Sequence, residues 1–358
     1  MSAVYLLIGF PGAGKYTIAK AMRERLLAAG HDGRLVDNHS VNNRIFELVE
    51  LPPEGRLAGA VWDLVDEVRE AVLRTVEDLS PRTWWFIFTN YLVKGADEAY
   101  LQRIERLADR RGAVLIPVVL TCAADEVLRR VVQPDRRARL KDTSASRAGH
   151  ALATGQLVDP DLPQTLRLDV TSTPADRAAV RILEHAEVAA QMARQSGLVA
   201  RFFRSLSQLD LEQPCTENQL AGRAPWNAKD HLAHLVFREQ SFQDLLDRAV
   251  NGDSQPLRAR GATQEERDAF VNEENERDVE AHRGEGLERL VELWSKARAE
   301  TLRRIARLSD QDWDLRLSLP DSSGQVTLRA LLPAPVRHAD AHLDQIRRGL
   351  RPPGNRPS

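Results

Sequence analysis

Lys15 closes the run Gly9-Phe10-Pro11-Gly12-Ala13-Gly14-Lys15, which matches the first seven positions of the phosphate-loop pattern G-x-x-x-x-G-K-[ST]. In such a run the glycines let backbone amides turn inward around phosphate oxygens. The start of the following helix adds partial positive charge, and the lysine supplies a mobile cation for the outer phosphates. The eighth position requires a short hydroxyl that reaches Mg2+, but this chain has Tyr16, with Thr17 after it. A tyrosine hydroxyl sits too far from its own backbone to take that place, and Thr17 points about 100° further round a helix. Residues Gly9, Pro11, Gly12, Ala13, Gly14, Lys15, Tyr16 and Thr17 therefore predict nucleotide binding and leave catalysis open.

Two other groups of residues carry chemistry. A polar cluster, Asp37, Asn38, His39, Asn42 and Asn43, follows the second apolar run, and a basic run holds Arg129, Arg130, Arg136, Arg137, Arg139 and Lys141. Phosphoryl transfer needs cations over the transferring group, which gives the arginines a use. Arg130 and Arg136 are the preferred phosphate contacts; a solvated helix face is the alternative for any one of them. In the second half, His338 and His342 are one helical turn apart, so both imidazoles face the same way. A third histidine from another helix would complete a metal site, and a polar helix face is the plainer reading.

The elements that must position these groups differ between the halves. Residues 4–8 form a continuously apolar run, as in a parallel strand buried on both faces, and 17–29 repeat with helical spacing, Ile18, Met22 and Leu26 on one side. Further strands are expected at 34–36, 84–88, 114–120 and 166–170. Helical stretches separate them: the spacing of Trp62, Val65, Val68, Val72 and Leu79 predicts a helix, and another is expected over 174–186. Such alternation favours a parallel sheet. From about residue 189 strand-like runs cease, with helices expected over 198–209, 228–248, 264–281, 287–308 and 328–350. The stripe Leu287, Leu290, Trp294, Ala297 and Ile305 reads as core, and Trp226 and Trp313 as staples at the ends of a bundle. A boundary near residue 188 without a Gly/Ser linker predicts domains of 1–188 and 189–358, little relative freedom, and a disordered tail after about 351.

The phosphate loop and the Asp37-Asn38-His39 segment resemble those of small P-loop kinases of the nucleoside and antibiotic type and of AAA-like ATP-binding proteins. The likeness covers roughly residues 4–186. It implies an α/β P-loop fold in three layers, ATP and Mg2+ as cofactors, an arginine-rich lid, and Asp37 as the base that receives the acceptor's proton. His39 would orient the acceptor or cap a helix. Where many such kinases carry an acid after the third strand, this chain has Thr89-Asn90, which weakens a Mg2+ site further. The turn Thr171-Ser172-Thr173-Pro174 resembles an adenine-side loop.

The segments 226–235 and 338–347 resemble the second and last helices of the DinB-like superfamily, whose subgroup of genotoxin self-protection proteins is similar through Asn272 and the Trp294 helix. The likeness implies an all-α four-helix bundle in which His234, His338 and His342 hold Zn2+ or Ni2+. His231 competes with His234 for that role, and Glu239 is a poor ligand, about 140° round the helix from His234.

Composition sets the outer limits. A chain of 358 residues with net charge −2, 28% charged and 42% hydrophobic residues fits two ordinary globular domains and disfavours a nucleic-acid partner. The basic run also lacks interleaved aromatics. No stretch approaches the ~18 apolar residues of a membrane span, and Cys122 and Cys215 lie in different halves, so the cytoplasm is the expected compartment. A homodimer is left open. The leading expectation is an ATP-dependent transferase of phosphate to a small hydroxylated molecule. The alternatives are a nucleotide-sensing regulator of the bundle, or a metal-dependent transferase or self-resistance protein acting through the C-terminal domain.

Overall fold

A computed structural model describes residues 2–50, 57–137, 141–216, 222–252, 263–318 and 325–350, with the side chains of 135, 137, 264 and 318 outside the description. Of the sequence expectations, Arg139, the side chain of Arg137 and the tail after about 351 lie outside the described residues. The chain divides into two compact units, Met1–Ala186 and Glu187–Ser358.

The first unit is built on a parallel sheet. Strands β1 (Ala3–Gly9), β2 (Gly33–Asp37), β3 (Trp85–Asn90), β4 (Val114–Thr121) and β5 (Leu166–Asp169) stand in the order β2-β3-β1-β4-β5. All four pairings are parallel. β1 is central, which explains why every one of its residues is apolar or small and buried. Side chains alternate across the sheet: Val4, Leu6 and Ile8 join Phe86 and Phe88 in a cluster with Leu101, Ile104 and Leu107. Those last three lie on helix α4 (Glu98–Arg111) and leave Tyr5 and Leu7 for the other face. Helix α1 (Lys15–Ala28) buries Ile18, Ala19, Met22 and Leu26, and packs against β1, β2 and β3. Its start is two residues earlier than the apolar spacing implies, because the helix begins inside the phosphate loop.

Helices α2 (Asn38–Phe46) and α3 (Gly59–Arg74) follow β2. The single helix expected through Leu79 instead ends in a π-helical turn, Thr75–Leu79. The wider turn brings Val76 and Glu77 inside, and leaves Leu79 mostly exposed. Buried Glu77 is bridged by Arg103 (2.6 Å) and Arg110, whose guanidinium groups hold its carboxyl below the ordinary range despite burial. The expected helical stripe therefore fails at its last member, since a charged anchor outweighs an apolar one there. Helices α5 (Ala124–Val131), α6 (Pro134–Arg137) and α7 (Ala145–Thr154) follow β4; α5 and α6 carry Arg129, Arg130, Arg136 and Arg137 of the basic run, and Lys141 lies between α6 and α7.

Helix α8 (Ala175–Arg204) is continuous through residue 198, where a separate helix was expected, and the short α9 (Gln208–Glu212) follows it. In the second unit, α10 (Ala228–Val250), α11 (Gln264–His282) and α12 (Leu287–Arg307) agree with expectation within two residues. The expected last helix is broken. Pro333 separates α14 (Leu328–Leu331) from α15 (Ala334–Gly349), because proline has no amide to continue the ladder. Between them and α12 lie α13 (Asp310–Trp313) and an unforeseen antiparallel pair, β6 (Arg316–Ser318) and β7 (Gln325–Thr327), each strand too short to leave an alternating pattern.

Helices α8, α10, α12 and α15 share the core of this unit, joined by Leu211 of α9. Val199 and Phe203 of α8 meet Leu232 and Val236 of α10, Leu290 and Trp294 of α12, and Leu343 and Ile346 of α15. Trp294 is core, as its place in the stripe predicts. Deeper in the bundle a charged pair is buried: Arg298 lies 3.1 Å from Glu239, with their side chains 1% and 2% exposed. The Arg298 guanidinium also donates to the Gln195 side-chain oxygen at 3.1 Å. That pairing accounts for Glu239 being unavailable as a metal ligand.

Candidate functional site

The loop after β1 turns as its glycines require. Gly12 and Gly14 adopt φ of 94° and 86°, in the left-handed region that side chains disfavour. A Cβ on Gly12 would also come within 2.9 Å of Val131 Cγ2. Gly14 caps α1 with no side-chain partner, so the helix's first turn opens toward the loop with its positive end. Lys15 folds over this cradle, its ammonium donating to the carbonyls of Gly9 (2.6 Å) and Phe10 (2.9 Å).

Around the cradle is a cavity of about 240 Å³ lined by Pro11, Gly12, Gly14, Lys15, Tyr16, Thr17, Asp37, Arg130 and Arg136. The fold thus gathers residues from the loop after β1, the end of β2 and the basic run about one cavity. Gly9 and Ala13 are absent from the lining; Gly9 ends β1 and Ala13 is buried beneath the turn, its amide bonded to the Phe10 carbonyl at 3.1 Å. Arg130 reaches the cavity while already engaged. Its guanidinium meets Glu126 at 2.5 Å and donates to the carbonyls of Val170 (3.0 Å) and Thr171 (2.9 Å). Arg136 donates to the Asp142 carbonyl at 2.9 Å. Thr171 itself is fixed by Asp169 and by the Ala123 amide, so local turn chemistry accounts for its hydroxyl.

Asp37 stands at the end of β2, buried, with Thr89 Oγ1 donating to its Oδ1 at 2.6 Å. Opposite its other oxygen is Lys141, which the sequence placed at the end of the basic run with no partner assigned; its ammonium lies 3.8 Å from Asp37 Oδ2 and 4.6 Å from the centre of the Tyr16 ring. No spacing rule pairs it with Asp37, because nothing in the chain links position 141 to position 37 before the fold does. Burial, then the charges of Lys141 and Arg136, push the Lys15 ammonium down to about 7, with Asp37 opposing. His39 is held neutral, its pKa lowered to about 4 by burial and then by Lys141.

The donor set does not fit a Mg2+ ion held by the protein. Tyr16 replaces the hydroxyl that would coordinate it, Thr89-Asn90 replaces an acid at the end of β3, and Thr89 is committed to Asp37. A lysine ammonium already neighbours the remaining carboxylate. These residues offer a divalent cation one carboxylate and a like-charged neighbour.

A larger cavity of about 910 Å³ shares Pro11, Asn38, His39, Tyr91 and Arg136 with the first. It is also lined by Phe46, Trp62 and Tyr100, and by Arg69, Asp97 and Arg147. His39 Nδ1 and Asn90 Oδ1 are buried there without hydrogen-bond partners, so polar atoms remain for a bound molecule to satisfy.

In the second unit, His234 on α10 and His338 and His342 on α15 converge, their ligand atoms within 4.8 Å of one another. His234 Nε2 and His338 Nε2 are 3.1 Å apart. Two imidazole nitrogens bound to one ion at about 2.0–2.1 Å are separated by about 3.0–3.4 Å, so the spacing suits a shared metal. Burial lowers the pKa of all three, His338 to about 3 and His342 to about 4, which keeps them in the neutral form that binds metal. His231, the competitor for His234's place, lies behind the triad with its Nδ1 2.7 Å from His342 Nδ1. Trp226 walls the group, its ring centre 5.1 Å from that of His234, while its Nε1–H donates to Glu276 at 2.6 Å. The sequence read Trp226 as a staple; its position against the histidines makes it part of the cluster.

Comparison with known proteins finds likenesses to both halves. Residues 221–346 match the model of the DinB superfamily, which bears out the resemblance of the helical half. Among solved structures, the APS kinase of Mycobacterium tuberculosis, determined with AMPPNP and APS, is similar at 15% identity over 52% of this chain and 98% of that one, with a TM-score of 0.38. A gluconokinase from Sinorhizobium meliloti 1021 is similar at 15% identity over 52% and 93%, TM-score 0.35. The tunicamycin resistance protein of Deinococcus radiodurans is similar at 16% identity over 51% and 94%, TM-score 0.32. No curated protein matches the chain. The parallel sheet with its loop after the central strand is a P-loop fold, and the second unit is a DinB-like helical bundle. Among the described residues no helix is long and apolar enough to cross a membrane.

Proposed function

We propose that the first unit is a nucleotide-binding phosphotransferase acting on a small hydroxylated molecule. The observation that supports this most is the adjacency of the two cavities: the phosphate cradle and the larger pocket share Asn38, His39 and Arg136. ATP in the cradle would present its γ-phosphate at that shared wall. An acceptor hydroxyl attacks the γ-phosphorus, the bond to the β-γ bridging oxygen breaks, and ADP leaves while Asp37 takes the hydroxyl proton. Lys15 and Arg136 offset charge on the transferring group, and Arg130 fixes α5 against the loop after β5 as it lines the cradle. His39, neutral at physiological pH, orients the acceptor.

Incubation of the protein with γ-labelled ATP and a panel of nucleosides, sugars and aminoglycosides tests this. Label transfer to a panel member, lost in Lys15→Ala, is the expected result. ATP bound in the cradle with no label transferred to any acceptor of these classes contradicts a transferase and favours the nucleotide-sensing alternative.

A second reading concerns the bundle. His234, His338 and His342 form a donor set suited to Zn2+ or Ni2+. Such an ion, when bound, supplies Lewis acidity to a water or thiolate. The histidines orient it, and the Trp226 ring shields one side from water. Metal analysis of the protein as purified, beside His338→Ala, tests this reading; equal content in the two would contradict it.

A further inference from the structure

Lys141 reaches the phosphate cradle beside Tyr16, the residue in the loop position that usually carries a Mg2+-binding hydroxyl. Its ammonium stands between the Asp37 carboxylate, 3.8 Å away, and the Tyr16 ring, 4.6 Å from its centre. Both charged side chains are about nine-tenths buried, 10% and 9% exposed. An ammonium so placed is attracted by the ring face and by the carboxylate together, which favours its residence at the mouth of the cradle. Tyr16 is thereby explained as a partner rather than a defect: the residue that cannot supply a metal-binding hydroxyl supplies a surface for a lysine. The downward push that Lys141 exerts on Lys15 places the two ammonium groups in the same electrostatic neighbourhood.

We propose that the Lys141 ammonium supplies to the nucleotide phosphates the positive charge that a protein-held Mg2+ supplies elsewhere, so that nucleotide binding by this chain does not require a divalent cation. The inference rests on the nucleotide-binding reading of the first unit and specifies its cation requirement. Lys15, Lys141 and Arg136 together line one cavity, and three protein cations at one anion site lower the need for a fourth charge from solution.

Calorimetric titration of the full chain with ATP, once in EDTA and once in excess MgCl2, is the test. The wild type is expected to bind with dissociation constants that agree within about threefold in the two buffers. Lys141→Ala is expected to weaken binding about tenfold or more in EDTA and to recover partly with Mg2+, as removal of one charge-assisted contact predicts. Lys141→Arg should retain divalent-independent binding, and Lys141→Met, which keeps the apolar stem against Tyr16, should behave as Lys141→Ala. Wild-type binding that collapses in EDTA, or a Lys141→Ala protein indistinguishable from wild type in EDTA, overturns the inference and leaves the nucleotide reading standing. No ATP binding in either buffer overturns both.

Discussion

His231 Nδ1 lies 2.7 Å from His342 Nδ1, so one of these two buried rings must donate to the other. If His342 binds a metal through Nε2, its Nδ1 carries the proton and His231 accepts it, fixing the ring's tautomer from behind. His231→Ala is then expected to weaken Zn2+ or Ni2+ affinity about 10- to 100-fold, the range for loss of an orienting partner. His338→Ala should remove binding outright. Competitive titration with a chelating dye separates the two cases; a His231→Ala protein with unchanged affinity would show that His231 is only packing.

Nucleotide affinity should fall as pH rises above neutrality. Lys15 has an ammonium pKa of about 7 without ligand, lowered chiefly by burial. A polyphosphate beside it favours the charged form and raises that value, so binding takes up a proton. The full Lys15 contribution is present below pH 7 and decreases by up to about tenfold per pH unit above it, until the ligand-bound pKa is reached. Calorimetry at pH 8 in buffers of different ionisation enthalpy reads the proton directly. Uptake near zero in the wild type, or the same uptake in Lys15→Met, would contradict the assignment.

Removing either partner of the Arg298–Glu239 pair should cost the bundle far more than removing both. Burial pushes the Glu239 carboxyl up and the Arg298 guanidinium down, a sign that each charge depends on the other. Arg298→Met leaves Glu239 buried and uncompensated, at an expected cost of about 3–5 kcal/mol. Arg298→Met with Glu239→Leu should recover most of that loss. Urea denaturation of the four proteins in the cycle measures it, and additive effects would contradict coupling.

Much of this architecture is legible in the chain because single residues do one physical job. β1 reads as a buried parallel strand since it is apolar on both faces, and the glycines at 12 and 14 announce a turn that the observed φ values require. The helices of the bundle follow from their stripes and capping boxes, such as Asn227 with Asp230. What resisted reading depends on partners far away in sequence. Leu79 fits a helical stripe, yet Glu77 is what the π turn buries, because Arg103 and Arg110 approach from α4. Asp37 and the loop were identifiable, but the ammonium beside them comes from position 141, and Arg130, chosen for its charge, is already tied to Glu126 and two carbonyls. At the histidines, helical spacing put His338 and His342 together; that His234 completes the group while His231 stands behind His342 is decided by the crossing of α10 and α15.

Everything assigned to the first unit depends on the loop from Gly9 to Lys15 holding a polyphosphate. Equilibrium titration of the wild type and Lys15→Ala with ATP at pH 7, in MgCl2, measures this directly. The account predicts saturable, one-to-one binding by the wild type and a loss of about 100-fold or more in Lys15→Ala, as expected when a charged contact at a buried anion site is removed. Equal affinity in the two proteins, or no binding by the wild type, would contradict it.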